Sequence, residues 1–155
     1  MTDQPTVGDM MAAYAQDAVD HARAAFGVTL DFTPASVEQV ETVLGKLYDA
    51  IPRGILGRLI RRGPTEADTA LMARMYGGYI GEVIRRTWGG HWEVDHPVGG
   101  PRSFPIYSKG QSFPAAWCFK RLTNGPEDNV WHKLQILYMR DGSEAAVPWE
   151  KPKPE

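Results

Sequence analysis

The chain has 155 residues, the length of one domain, and it is too short for two domains with substantial cores of their own. Its 17 Lys and Arg against 19 Asp and Glu give a formal net charge of -2, so the overall balance does not indicate a nucleic-acid or anionic-membrane partner. The single cysteine, Cys118, excludes an intrachain disulfide and a Cys-rich zinc site, and is typical of a protein in a reducing cytosol.

The opening residues do not have the pattern of a secretory signal. They contain an early acid and lack both a basic n-region and an apolar h-region. The longest apolar runs also fall well short of the roughly 18 residues that a membrane-spanning helix requires. We therefore expect a cytoplasmic protein that does not associate with membranes.

Two amphipathic helices are predicted in the first third of the chain. Apolar residues recur at helical spacing over 10–26, and Gly27 follows as a C-terminal stop. A short extended segment is expected over 28–32. The second helical pattern covers 34–48 and ends before Pro52, which cannot continue a helix.

An arginine-rich segment, RGILGRLIRRG, follows as a short helix or turn over the edge of the core. Guanidinium groups suit phosphate or an acidic protein, so one hypothesis is an anion or nucleic-acid binder. Few aromatic residues interleave with the arginines and the chain is acidic overall, which favours a solvated surface and makes nucleic acid an unexpected partner. The four arginines are Arg53, Arg58, Arg61 and Arg62.

The most distinctive pattern is a long helix over about 65–88, which opens with a capping-box pattern and stops at a double glycine. Its apolar residues cover a very wide arc, typical of a helix that is covered on nearly all sides. Gly77 and Gly81 lie one turn apart and each costs about 1 kcal/mol relative to Ala in a helix. We therefore predict a central helix against which a neighbour packs closely.

Glu82 and Arg86 fall on the apolar side of this helix, at the i,i+4 spacing that lets their side chains meet. One interpretation is a structural ion pair, because an isolated buried charge is costly. The other places Glu82 in a pocket, as an acid, a base or the anchor of a ligand with a shifted pKa. No second catalytic group can be matched to Glu82, so no catalytic residue is assigned.

A small antiparallel hairpin or sheet is predicted over about 91–107. Apolar and polar residues alternate over 91–95, which is the pattern of a half-buried strand. A second extended segment covers 102–107, and Pro105 is expected to limit it to an edge of the sheet.

Three polar side chains of the first segment, His91, Glu93 and Asp95, could reach one face and hold a divalent metal. A solvent-exposed face explains them better, because charged side chains usually stay in water. We predict no metal and no cofactor. Cys118 lies on the apolar side of its helix, so an inert buried thiol is expected there.

The rest of the chain predicts one further helix over 113–122, stopped by Gly125. The pattern over 127–140 suits either a helix or a strand, and its entry favours a helix. A loose tail rich in Pro and charge covers 143–155. The fold class is therefore α+β and mainly helical, with a single domain over 1–142.

The runs GGYIGEVIRRTWGGHW, LDFTPASVEQVETVL and PAAWCFKRLTNGPEDNVW resemble a family of small bacterial domains of unknown function. The hallmark of that family is G-x-Y-x-G-E-V-I-R-R-x-x-G-G-x-W, which here begins at Gly77 and ends at Trp92. The resemblance covers about 30–138 and implies kinship without a reaction. By analogy with other small cytosolic bacterial domains, it suggests an immunity protein that neutralises a toxin.

The leading hypothesis is a non-catalytic module that binds another protein through exposed Trp and Arg side chains, in the manner of an immunity-type inhibitor. A small-molecule-binding or hydrolytic domain with Glu82 in a pocket is the alternative, and an anion binder is the third. The candidate interface residues are Arg85, Trp88, Trp92, Arg58, Arg61 and Arg62.

Overall fold

The computed structural model describes residues 4–51 and 65–139. The helices of these residues are α1 (Val7–Phe26), α2 (Ser36–Ala50), α3 (Glu66–Trp88), α4 (Pro114–Asn124) and α5 (Val130–Leu134), which continues as a π-helical turn (Gln135–Met139). The strands are β1 (His91–Trp92), β2 (Ile106–Ser108) and β3 (Gly110–Ser112). The predicted α+β, mainly helical class is confirmed.

The long helix α3 is the centre of the fold. At its start, the Asp68 amide donates to Thr65 Oγ1 at 3.1 Å and the Thr65 amide donates to Asp68 Oδ2 at 2.9 Å, so both bonds of a capping box form although Asp replaces the usual Glu. Every residue from Met75 to Ile84 is buried. A helix that is buried all round for nearly three turns must be covered by other elements on every side, as the sequence predicts.

Glycines on α3 allow two other helices to approach its backbone. A β-carbon built on Gly77 would lie 2.5 Å from the backbone N and Cα atoms of Ala115 in α4. On the other side, a β-carbon on Gly78 would lie 3.0 Å from the carbonyl oxygen of Met11 in α1. The missing side chains therefore set the distance between α3 and both neighbours, which confirms the close approach inferred for Gly77.

The sheet is antiparallel with the order β1-β2-β3, so β2 is its central strand. The prediction that Pro105 confines this segment to an edge is wrong, because the strand begins one residue later, at Ile106. Pro105 still contributes its carbonyl, which accepts a hydrogen bond from the Glu93 amide at 3.0 Å. The strand expected over 91–95 is also shorter than predicted and ends at Trp92.

The backbone between β1 and β2 explains why the pairing is short. Arg102 and Phe104 adopt positive φ angles of 56° and 46°, which interrupt an extended chain. Phe32 also has a positive φ, of 61°, and its amide donates to the Tyr79 hydroxyl at 2.8 Å. The segment 28–32, expected to be extended, accordingly forms no strand.

An almost fully buried ion pair, not anticipated from sequence, joins α2 to the C-terminal helices. Arg121 Nε lies 2.8 Å from each carboxylate oxygen of Glu41, and the Val130 amide donates to the same carboxylate at 3.1 Å. This carboxylate therefore ties α2 to α4 and caps the entry to α5. The favoured helical interpretation of 127–140 is right for 130–139, where the Asn129 side chain accepts from the His132 amide at 3.0 Å.

We predict that Gly77→Ala lowers the free energy of unfolding by about 1–3 kcal/mol, because the new methyl group meets helix backbone that cannot move aside. Gly8→Ala is the matched control, since its β-carbon would meet only Thr6 Oγ1 at an ordinary 3.6 Å. The control is expected to gain up to about 1 kcal/mol from helix propensity. Chemical denaturation measures both values, and equal stabilities for the two variants would contradict this account of the packing.

Candidate functional site

Glu82 is buried with 1% of its surface exposed, and its carboxylate is held by three neighbours. Arg85 donates from Nε at 2.7 Å and from Nη2 at 3.1 Å, and the Trp92 indole N–H donates at 3.1 Å. Arg86 Nη2 lies farther away, at 3.7 Å. The closest cation is therefore Arg85, at i,i+3, rather than the Arg86 that the sequence pattern suggested.

Arg86 makes a second contact on the side away from Glu82. Its guanidinium carbon lies 3.8 Å from the centre of the Phe32 ring, a cation–π geometry, and that ring also packs on Tyr79. The side chain is nearly half exposed, so part of the guanidinium stays hydrated. Arg86 thus links the segment before α2 to α3 as well as facing Glu82.

The environment of Glu82 keeps its carboxylate ionised. Burial acts to raise the pKa, but hydrogen bonds from Arg85 and Trp92 and the positive charges of Arg85 and Arg86 outweigh it, so the pKa lies below its usual value. A general acid or base near neutral pH needs the opposite displacement. This carboxylate therefore suits an anchoring role better than proton transfer.

A concavity of about 470 Å³ does open beside Glu82, between the start of α1 and the start of β1. The other acid that lines it, Asp9, accepts the Thr6 amide at 2.9 Å as part of the α1 capping box. His91 also lines it, and its Nε2 atom lies 3.3 Å from Glu93 Oε1. Both carboxylates of the concavity are thus engaged with groups of the protein itself.

The remaining predicted site residues are divided between the core and the surface. Trp92 is only 5% exposed and its ring covers Gly81, so it offers no contact area to a partner. Trp88 is half-buried against the Tyr138 ring at 5.2 Å, whereas Arg85 keeps a partly exposed side chain. The three other candidates, Arg58, Arg61 and Arg62, lie with Arg53 outside the described residues, as does the predicted tail.

The metal hypothesis for the segment after α3 finds no support in the geometry. His91 stacks on Tyr107 with ring centres 5.4 Å apart, and the Asp95 carboxylate accepts from the Arg102 amide at 2.7 Å. Within 4–51 and 65–139, no group of three or more His, Cys, Asp or Glu side chains could hold a metal ion.

A second region, which we call the aromatic cleft, has a different character. It is an open cavity of about 510 Å³ between α3, α4 and the loop 93–105. Its aromatic lining consists of Phe104, Phe113, Trp117 and Phe119. Phe104 is fully buried, and the other three rings are partly exposed to solvent. Partly exposed aromatic rings around a concavity are typical of a surface that becomes covered on binding.

The charged residues that line the aromatic cleft are all basic. Arg74 comes from α3, Arg102 from the loop and Lys120 from α4. Among the described residues, none forms an ion pair with these three side chains. Three cations beside an apolar floor produce a positive potential over the cleft, which the charge of Asp128 near Lys120 lessens at that end.

The loop that supplies Arg102 and Phe104 holds both residues in left-handed conformations. The backbone is fixed there, because the Arg102 amide donates to Asp95 and the Phe104 amide donates to the Val94 carbonyl at 3.0 Å. Left-handed backbone at a non-glycine residue costs free energy and is concentrated at functional sites. The loop therefore has a fixed shape where it lines the cleft.

Sequence reasoning did not find the aromatic cleft. One signal was present: Trp117 and Lys120 share a face of α4, and Phe113, the residue before the helix, continues the same spacing. The contribution of α3 and the loop could not be deduced, because it depends on how three distant segments meet.

No protein-family model matches the chain, and comparisons with curated proteins and with solved structures return no match. The resemblance to a family of small bacterial domains therefore stays a prediction. None of the described helices is long and apolar enough to cross a membrane.

We predict that Glu82→Gln lowers the free energy of unfolding by about 1–3 kcal/mol at pH 7, because a neutral amide cannot satisfy Arg85 and the buried indole as the carboxylate does. Since the folded pKa lies below the ordinary 4.5, the stability from the charged form is present above that pH and is lost as the pH falls through the folded pKa. The difference in the free energy of unfolding between wild type and variant should therefore shrink as the pH falls from 5 to 3.

Urea denaturation across this pH range measures the effect. Glu127→Gln, an exposed change of the same chemistry, serves as control and should alter stability only slightly at every pH. A pH-independent difference for Glu82→Gln would show that the carboxylate charge does not stabilise the fold.

Proposed function

We propose that this protein is a non-catalytic module that binds another protein through the aromatic cleft. The observation that supports the proposal is the pairing of a partly exposed aromatic lining with charged residues of one sign. Trp and Arg are the side chains that most often dominate protein interfaces, and apolar contact with a basic rim gives both affinity and orientation. The cleft thus combines the two requirements of a specific docking surface.

The state of the titratable groups favours binding over catalysis. The buried carboxylate of Glu82 is ionised and saturated with donors, and burial raises the pKa of the Cys118 thiol well above its usual range. A nucleophile or a general base requires a reactive group with an accessible partner. Neither Glu82 nor Cys118 is an accessible reactive group with such a partner, whereas binding of a protein in the cleft needs no reactive residue.

The immunity-type inhibitor is the form of this proposal in which the partner is a toxin. The predicted family resemblance supports it by analogy. Co-expression with a toxin encoded next to this gene tests it. Protection of the host cell by the wild-type chain, and loss of protection on Trp117→Ala, is the expected result.

We predict that Trp117→Ala weakens binding of a captured partner by roughly thirtyfold or more, because removal of a central aromatic anchor costs about 2 kcal/mol. Trp131→Ala is the matched control: this tryptophan is also half-buried but does not line the cleft. The full chain is immobilised, the partner is isolated from the native host, and its affinity is measured by calorimetry.

Thermal melting of both variants ensures that each remains folded at the assay temperature. Equal affinities for the two folded variants would place the interface outside the aromatic cleft. Repeated failure to recover any partner above background would remove the proposed function altogether.

A further inference from the structure

A second concavity adjoins the aromatic cleft. This second cleft has a volume of about 740 Å³ and shares Arg102 and Phe104 with the first, so the loop forms a wall common to both. Its remaining lining comes from residues 4–6, which precede α1, from the first turns of α1, with Val7 and Met10, and from Val94. The two clefts therefore adjoin at this loop, and we call the surface that they make together the path.

The size of this path favours a polypeptide over a small molecule. Each cleft alone falls within the roughly 300–1,000 Å³ of a small-molecule pocket, whereas only an extended segment can occupy both clefts at once. Apolar side chains also project beside the path, since Val98 is 87% exposed and Val94 is exposed as well. Exposed valines beside a concave surface extend the contact area that a peptide, unlike a small ligand, can cover.

Charge is distributed unequally along the path. Arg74 and Lys120 lie only in the aromatic cleft, and Arg102 lies at the shared wall. The second cleft adds no further cation and contains Asp9, whose carboxylate accepts hydrogen bonds within the α1 cap. A bound segment would therefore meet positive charge at one end and an apolar surface at the other.

We propose that the partner presents a short segment that is acidic at one end and apolar at the other, with its carboxylates over Arg74 and Lys120 and its apolar side chains across Phe104 into the second cleft. This inference rests on the proposed function and specifies the partner's chemistry and register. The ionic contacts lie at the exposed rim, so they set orientation and salt dependence, whereas the aromatic contacts supply most of the affinity.

Synthetic peptides of twelve residues test the register. Two block peptides join a block of Glu and Asp to a block of Leu, Phe and Ser, one in each chain direction. A third peptide has Lys in place of the acids, and in a fourth the same acidic and apolar residues are interspersed. Fluorescence anisotropy with the full chain should show binding of at least one block peptide, at least tenfold weaker binding of the lysine and interspersed peptides, and loss of affinity with rising salt.

Four variants test the assigned residues. Arg74→Gln and Lys120→Gln should each weaken binding of the block peptide severalfold, and the double variant should weaken it by about tenfold. Arg102→Asn removes a charge while keeping a residue that tolerates left-handed backbone, so its effect on binding does not arise from misfolding. Lys46→Gln is the control, because it removes the same charge from an exposed residue of α2 that lines neither cleft.

Several outcomes would overturn the inference. Equal binding of acidic and lysine peptides, an equal effect of Lys46→Gln, or absence of binding by every peptide would each do so. Binding of dodecanoate, a small amphiphilic anion, in the absence of peptide binding would show a small-molecule pocket instead.

Photo-crosslinking separates this inference from the proposed function. In the variant Val98→benzoylphenylalanine, the new side chain reacts with the segment of the captured partner that covers the aromatic cleft. Recovery of an acidic and apolar segment supports the inference, whereas recovery of a segment without acids overturns it and leaves a protein-binding cleft. A captured partner that does not react at this position overturns both.

Discussion

The distance between backbones at Gly77 and Gly78 is the constraint on which the rest of the structure depends. One glycine admits α4 and the next admits α1, so α3 is clamped between two helices at adjacent residues. Farther along α3, Gly81 makes room for the Trp92 ring, which brings β1 and the sheet against the same helix. The aromatic cleft lies between α3, α4 and the loop 93–105. Side chains at the three glycines would move apart the elements that line it.

The buried charge of Glu82 complements this packing. Apolar contact alone would let Trp92 adopt several positions over a glycine, but an indole N–H that donates to a fixed carboxylate allows only one. Arg85 compensates the charge while remaining in contact with water, which lessens the desolvation cost of the pair. The Glu82 carboxylate thus fixes the position of Trp92 on α3, and the ion pair of Glu41 with Arg121 joins α2 to α4 in a similar way.

The sequence predicts those features that depend on neighbouring residues. The cap at Thr65, the central position of α3 and the need for close approach at Gly77 all follow from local spacing. Features that join distant segments do not follow: Glu41 meets Arg121 across 80 positions, and the aromatic cleft draws on α3, α4 and a loop. Spacing placed Arg86 beside Glu82 but could not show that Phe32 attracts its guanidinium group, so Arg85 became the closer cation. The prediction of an edge strand at Pro105 was wrong because the sequence does not show that β2 begins one residue later.

The central position of α3 also affects how the chain folds as it is made. The surface of α1 that meets Gly78 is synthesised roughly 65 residues before its partner, which at about 5–20 residues per second is a wait of several seconds. During that interval the apolar face of α1 has no permanent cover. The contacts that bury this face of α1 can therefore form only after α3 has been synthesised.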